Sequence, residues 1–309
     1  MALRFQERDG EILATIHRLG GVIARRQLKQ LFWPEASWRA MEVRLKKLRD
    51  AGYIEWPSLE QRRTRPVVEP VVWHGWQGAL YIAGLVGVDA TAPVSPSDYQ
   101  LGRLQKTLRA RGIRWLREPR WLQLMHDLAV VDFHLAIERT VIDTPALSLE
   151  AWINEGDFLS EMDTVEFELK TSDGSVELKK RGVRPDGYFV ILDETRQKQG
   201  LPARARFLLE LDTSTEDNPR FGRDKALPGA AYIQSDAYRN RFGDNSGRWL
   251  VVTTGEIRIR NLINQVTQRV GSDDQLFWFT TLGKALHENV IGDEIWWRPG
   301  RAKPVSLFS

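Results

Sequence analysis

The residues of this chain best suited to chemistry are a set of carboxylates. Arg184-Pro185-Asp186-Gly187 precedes one apolar run, and Glu210 and Asp212 lie in a second, Phe207-Leu208-Leu209-Glu210-Leu211-Asp212. Tyr188 to Leu192 and Arg206 to Leu211 are rich in β-branched, aromatic and Leu residues, while Asp193 to Arg204 between them is polar and turn-like. That pattern predicts two adjacent strands. Side chains alternate along a strand, so Glu210 and Asp212 share one face and Leu209 and Leu211 the other. Asp186, Glu210 and Asp212 are therefore expected to meet at one sheet edge. Clustered carboxylates are costly to hold uncompensated, and a hard divalent cation such as Mg²⁺ or Mn²⁺ is a usual counter-charge. Lys225, on the next predicted helix, is the candidate cation to reach this edge. Arg184 and Arg206 are candidates to stabilise a phosphate, and Glu155 is a further candidate ligand.

The arrangement resembles the active centre of the PD-(D/E)xK nuclease fold, with one departure: Asp212 occupies the motif's lysine position. The resemblance implies Asp186 and Glu210 as metal ligands, joined by Asp212, with a metal-bound water attacking the scissile phosphate. A carboxylate in place of the lysine reverses the local charge and weakens any lysine-assisted mechanism. The competing expectation is that Glu210 and Asp212 pair with Arg184, Arg206 or Lys225 while Asp186 shapes a turn, so that the fold persists and its chemistry is lost. The degenerate site is the primary reading, and a Mg²⁺-dependent endonuclease or nickase is the alternative.

The elements that must position these groups follow a short basic region. Arg8 to Leu19 predicts an amphipathic helix stopped by Gly20-Gly21, and Ala24 to Phe32 a second, with Leu28, Leu31 and Phe32 inward. Ser37 is placed to cap a third, Trp38 to Asp50, whose apolar stripe is Trp38, Met41, Leu45 and Leu48, and Gly52 closes it. Its other face carries Arg39, Arg44, Lys46, Lys47 and Arg49. Tyr53 to Trp56, a basic loop containing Arg62, Arg63 and Arg65, and the apolar segment Val67 to Trp73 complete the order of a winged helix. Such a module places its third helix in the major groove and its wing against backbone or minor groove of double-stranded DNA. Ser37, Arg39, Arg44, Lys46, Lys47, Arg49, Arg62, Arg63 and Arg65 are the candidate DNA-binding residues.

Charge supports the division. Up to Met125 there are 21 Lys+Arg against 12 Asp+Glu, leaving 23 against 29 in the remainder, so a basic half precedes an acidic one. The basic half points to a polyanionic partner. The absence of cysteine excludes disulfides, a thiol nucleophile and thiolate metal sites. Met1 to His17 is charged throughout and no apolar run is long enough to span a bilayer, so a cytoplasmic protein without membrane contact is expected.

Pro93 to Ser97 reads as a linker, followed by a basic helix from Asp98 to Arg111 and a long helix from Trp121 to Arg139. Leu147–Ile153, Thr164–Lys170, Tyr188–Leu192, Phe207–Leu211, Trp249–Thr253 and Leu276–Thr280 read as strands. Lys225–Tyr238 and Ile257–Val270 read as helices. The expected fold is α+β: a winged helix over residues 1–92, a basic linker helix over 93–120, and a mixed-sheet, restriction-endonuclease-like α/β domain over 121–309. His126 and His134 lie too far apart on one helix, at a rise of about 12 Å, to chelate one ion. Trp56 and Trp76 are candidates for base stacking, although most of the 12 tryptophans are expected in cores. The tail from Arg298 to Ser309 reads as a loosely ordered basic arm.

The chain is similar to the replication-relaxation family. The resemblance rests on the basic amino-terminal helices, Leu45-x-x-Leu48-x-x-Ala51-Gly52-Tyr53, the His126-x-Leu128 helix, Pro185-Asp186, and Glu210-Leu211-Asp212-x-Ser214-Thr215-Glu216. It spans roughly Arg8 to Tyr238. It implies a role in replication, mobilisation or control of a plasmid or other mobile element, with a homodimer or replication and mobilisation proteins as further partners. A protein-interaction scaffold is the remaining function class.

Overall fold

The computed structural model describes residues 3–170, 174–213 and 217–308. Its contacts divide the chain into two compact units, Met1–Val131 and Asp132–Ser309. Together the described residues form a mixed α+β fold.

The first unit opens with α1 (Glu7–Arg18), β1 (Val22–Ala24), α2 (Arg25–Phe32) and α3 (Trp38–Asp50). β2 (Ile54–Glu55), α4 (Leu59–Thr64), β3 (Val71–His74), α5 (Trp76–Leu85) and α6 (Asp98–Ala110) follow. The three strands form an antiparallel sheet in the order β1-β3-β2, with Val22 opposite Trp73 and Ile54 opposite His74. Ile12, Leu13, Ile16, Leu28, Met41, Leu45 and Leu48 are fully buried, so the predicted stripe of α1 and that of α3 apart from Trp38 form the core. The Ser37 hydroxyl caps α3 by accepting the Ala40 N–H at 3.2 Å. Gly52 adopts φ +76° at the other end, and Tyr53 N–H reaches the Leu48 carbonyl at 2.9 Å. That is a Schellman closure, which favours a residue without Cβ in the left-handed position.

Several expectations need correction here. Trp38 is 52% exposed and lies outside the α3 stripe, and Leu31 is exposed rather than inward. The basic segment after Trp56 is a helix, α4, with Ser58 as its cap, because Ser58-x-x-Gln61 forms a reciprocal capping box. The segment from Pro93 to Arg120 packs within the first unit: Leu104 and Leu108 are buried, and Trp115 Nε1 donates to the His74 carbonyl at 3.0 Å.

α7 (Leu124–Ile142) contains the boundary between the units. The second unit continues through β4 (Leu147–Asn154), α8 (Glu155–Ser160), the hairpin β5 (Asp163–Lys170) and β6 (Val176–Val183), β7 (Gly187–Asp193), α9 (Glu194–Lys198) and β8 (Arg204–Asp212). After α10 (Asn218–Phe221) comes a π-helical turn, Gly222–Ala226, then α11 (Leu227–Gln234) and α12 (Asp236–Phe242). β9 (Arg248–Thr253), α13 (Glu256–Val270), β10 (Phe277–Thr281) and α14 (Leu282–His287) complete it.

The five-stranded sheet has the order β10-β9-β8-β7-β4. β4, β7 and β8 are antiparallel neighbours, while β8, β9 and β10 run parallel through helical crossovers. Leu208, Trp249 and Val251 join the core formed with the helices after β8, including Phe221, Tyr232, Ile259 and Leu262. Alternation therefore turns Glu210 and Asp212 toward this helical layer. On the opposite face Phe133 of α7 contacts Phe189, and the His134 ring stacks on Trp152 at 3.6 Å and 10°. The carboxy-terminal arm is held in place, contrary to the loosely ordered tail expected: Val305 bridges Trp296, and buried Leu307 donates its N–H to Ile291 at 3.0 Å.

Among the described residues no helix is long and apolar enough to cross a membrane.

Candidate functional site

Asp186 sits one residue before β7, where Pro185 fixes the preceding backbone. Its own N–H donates to the Leu209 carbonyl at 2.8 Å, and its Oδ2 accepts the Leu211 N–H at 2.7 Å. The carboxylate thus ties β7 to β8 at the point where the ladder begins. A Cβ at the adjacent Gly187 would meet the Trp152 ring at 3.1 Å, so any larger residue there needs that ring to give by a few tenths of an ångström.

Glu210 lies opposite Val251 in the β8–β9 register, and Asp212 opposite Thr253. Asp186, Glu210, Asp212 and Glu155 are all buried. Each has a partner. Lys225 Nζ is 3.0 Å from Glu210 Oε1. Asp212 takes a two-pronged pair from Arg258 of α13, at 2.7 and 3.0 Å, and the Thr253 hydroxyl at 2.8 Å. Arg184 Nε lies 3.1 Å from Glu155. Arg206, a candidate for this edge from the sequence, pairs instead with Asp244 at 2.8 Å.

Lys225 reaches Glu210 from the π-helical turn. Pro228 has no N–H to return to the Asp224 carbonyl, and its ring crowds that carbonyl. The chain widens, and Leu227 N–H bonds to Gly222, five residues back. Beside Lys225, Asp224 collects Arg181 at 2.7 Å, Arg223 at 3.0 Å and Arg220 at 3.4 Å. Burial alone would raise the Asp224 pKa, but hydrogen bonds from Arg223 and Arg181 outweigh it and hold the group below the ordinary carboxylate range. Glu210, Lys225, Asp224, Arg181 and Arg184 line the mouth of a cavity of about 230 Å³, walled by Phe221, Trp249 and Phe277.

These donors do not fit a divalent ion as they stand. Asp212 is held by Arg258, one oxygen of Asp186 by a backbone N–H, and Glu210 by Lys225. Among the described residues no group of three or more His, Asp or Glu is placed to hold a metal. The carboxylates are compensated by cations of the chain itself, and the chemistry on offer is ion pairing and phosphate attraction at the mouth. His126 Nδ1 lies 3.5 Å from Asp127, and His134 Nε2 lies 3.2 Å from Glu138.

The candidate DNA-binding residues of the first unit separate into two groups. Arg44 turns inward: its Nε donates to buried Asp9 at 2.7 Å and a second nitrogen also meets Asp9, so its place on the outer face is corrected. Those hydrogen bonds raise the Arg44 pKa against the opposing effect of burial. Lys46 pairs with Asp50 at 2.9 Å, and Arg62 Nε donates to the Pro57 carbonyl at 3.3 Å. Arg25 and Arg49 lie over the Trp56 ring at 4.4 and 4.5 Å, which occupies the surface a stacked base would need. Arg39, Lys47, Arg63 and Arg65 are the remaining members, alongside the capping Ser37; all four cations are exposed.

Arg258, Asn218 (whose side-chain oxygen accepts from the same guanidinium), Asp224 and Arg181 are not legible as site residues in the sequence; Arg258, for one, is 46 positions from the carboxylate it holds. The only sequence signal for the π turn is Pro228, six residues after Gly222. Ser214, Thr215 and Glu216 of the shared motif lie outside the described residues.

No curated protein and no solved structure matches the chain. A family model does: that of the replication-relaxation proteins matches residues 13–239, well over half of the sequence. The match ends within α12, so it takes in most of the first unit and the Asp186–Glu210–Lys225 edge together. The chain belongs to the replication-relaxation family, which suggests a part in the replication or mobilisation of a plasmid or other mobile element.

Proposed function

We propose that this is a double-stranded DNA-binding protein whose first unit is a winged helix and whose second is a nuclease-like domain retained for architecture. The observation that carries this reading is the set of exposed cations Arg39, Lys47, Arg63 and Arg65 on α3 and at α4, with no ion pair to any of them among the described residues. The order α1-β1-α2-α3-β2-α4-β3, with a sheet of order β1-β3-β2, supports it. α3 presents Arg39 and Lys47 to the groove, and α4 with its C-cap, at the tip between β2 and β3, carries Arg63 and Arg65 to the backbone. Phosphate contacts of this kind release counterions, so binding weakens steeply with salt. In the second unit the pairing of Asp212 with Arg258 supports a degenerate centre.

The test is duplex binding by the full chain across a salt series, with the quadruple variant Arg39→Ala/Lys47→Ala/Arg63→Ala/Arg65→Ala beside it. The variant is expected to flatten the dependence of log K on log salt by about 3 to 4, near 0.9 for each phosphate it can no longer neutralise. Equal slopes would remove α3 and α4 from the interface, and duplex affinity absent in both proteins would favour an interaction scaffold.

A second reading, a Mg²⁺- or Mn²⁺-dependent endonuclease or nickase, is favoured by one contact: Lys225 restores a lysine to Glu210 from outside the motif. A supercoiled-plasmid assay with either ion separates the two. Nicking by the native chain that is lost in Asp186→Ala/Glu210→Ala would establish the enzyme, and intact plasmid from both proteins would leave the binding reading.

A further inference from the structure

The opposite end of β8 from Glu210 carries an excess of positive charge. Arg204 and Arg206 open β8, and Arg248 opens the adjacent strand β9. Six residues along a strand separate Arg204 from Glu210, about 20 Å. A cleft of about 480 Å³ lies at this end, lined by Arg196, Arg204, Arg206 and Arg248 and by no Asp or Glu. Arg204 is bound by Glu150 at 2.6 Å and Arg206 by Asp244 at 2.8 Å. Arg248 has no carboxylate partner among the described residues. Arg196 gives its Nε to the Pro202 carbonyl at 2.8 Å and is otherwise exposed.

Behind Arg248 the shortage of negative charge continues. Arg248 and Arg298 both lie over the buried Trp278 ring, at 4.9 and 4.5 Å. The Arg298 Nε is buried without a hydrogen-bond acceptor. Burial, followed by its neighbour Arg298, holds Arg248 below the ordinary arginine range, and burial followed by Arg301 does the same for Arg298. In the first unit the comparable ring, Trp56, has Arg25 above it, and Glu42 neutralises that arginine at 2.8 and 2.9 Å. Arg298 donates from another nitrogen to Gln275 Oε1 at 3.3 Å, and of the two arginines Arg248 is the one that lines the cleft. No carboxylate among the described residues neutralises Arg248, and a bound anion would.

The rest of the lining narrows the anion. The cleft is larger than a bare phosphate needs, and its wall includes Leu276, Leu307 and the 40% exposed ring of Phe308. The Asn245 amide and the Ser246 hydroxyl add polar groups to the same wall. Cationic forks beside an apolar and aromatic wall match a phosphate attached to a flat, partly apolar body. We propose that this cleft binds a phosphorylated nucleoside, with Arg248 and Arg196 holding the phosphate and Phe308 covering the base. The ligand is either a free nucleotide or the phosphorylated end of a strand, and the site is separate from the Asp186–Glu210 edge and from α3.

The test is calorimetric titration of the full chain with deoxyadenosine 5′-monophosphate, adenosine, inorganic phosphate, and a dinucleotide with or without a 5′-phosphate. The monophosphate is expected to bind at least about tenfold more tightly than inorganic phosphate, with no binding of adenosine. Arg248→Gln and Arg196→Gln should each weaken the monophosphate about tenfold. Phe308→Ala should bring its affinity down to that of inorganic phosphate. Arg196 is on the surface, so its variant tests the site even if Arg248→Gln fails to fold. Tighter capture of the 5′-phosphorylated dinucleotide assigns the site to a strand end, and tighter capture of the mononucleotide to a free nucleotide; both support a phosphorylated nucleoside. Equal affinity for monophosphate and adenosine, no binding of either, or full affinity in Arg196→Gln would overturn the proposal. The quadruple α3/α4 variant should bind the monophosphate as the native chain does, which separates failure here from failure of duplex recognition.

Discussion

On α3 and α4 of the first unit, Arg39, Lys47, Arg63 and Arg65 extend into solvent, while the one buried carboxylate of α1, Asp9, is held from inside by Arg44. At the β7–β8 edge of the second unit the pattern is inverted: Asp186, Glu210, Asp212 and Glu155 are buried, and each is met by a backbone N–H or a cation. These four cations of the first unit thus keep their charge available, while the Asp9–Arg44 pair serves architecture. The second unit uses nearly all its charge at this edge internally. Like residue types therefore carry different meanings in the two units, and burial together with the nearest partner decides which applies.

The sharpest way to break this contrast is at the internal pair of the first unit. Asp9 is fully buried and accepts both Arg44 and the Gln6 N–H, the latter at 2.8 Å. Removing one member of such a pair leaves the other charge buried alone, so Arg44→Ala is expected to cost about 3 to 5 kcal/mol in denaturant unfolding. A loss below about 1 kcal/mol would return Arg44 to the surface set.

Arg258→Ala asks the same of the second unit. Its partner Asp212 keeps the Thr253 hydroxyl after the change, so a smaller loss of about 3 kcal/mol is expected. Measured by the same denaturation, an unchanged stability would mean that the Arg258 pair adds nothing to the sheet edge and that the second unit is no more internally bound than the first.

The next effect is a pH dependence carried by His74 of the first unit. His74 donates its Nε2–H to the Leu13 carbonyl at 2.9 Å, and burial, opposed by that bond and reinforced by His17, lowers its pKa to about 4. The unfolded chain takes up a proton on this residue near pH 6.5, before the folded chain does. Stability should therefore be unaffected by His74 above that pH and fall as pH drops from 6.5 to 4, by about 3 kcal/mol in all. Comparing unfolding free energies of the native chain and His74→Gln across that window checks the sign; parallel curves would remove His74 as the cause.

Much of this arrangement is legible in the sequence where it depends on neighbours along the chain. Ser37 capping α3, Gly52 closing it, and Glu210 and Asp212 sharing a face all follow from spacing. What is not legible depends on distant chain or on an unusual turn. β6 hides because Val176 and Leu178 are exposed among Glu177, Lys179 and Lys180, so its alternation marks no core. Arg44 reads as one cation of a basic face, since nothing near it announces buried Asp9, 35 residues earlier. The tail after Arg298 reads as polar, while Val305 and Leu307 fix it through partners earlier in the chain.

The smallest stability effect is expected at Lys225, and it tests whether every charge at the β7–β8 edge is tied into the fold. Lys225 is 35% exposed while Glu210 is 10% exposed, so water screens one side of their pair. Lys225→Ala is therefore expected to cost about 1 kcal/mol or less, well under the Arg258 change. The π turn should persist in that variant, because Pro228 and not the lysine side chain enforces it. A loss as large as that of Arg258→Ala would make Lys225 a fixed architectural cation. A small loss leaves it a cation of the edge that can exchange Glu210 for a phosphate at the cavity mouth without unsettling the sheet beneath it.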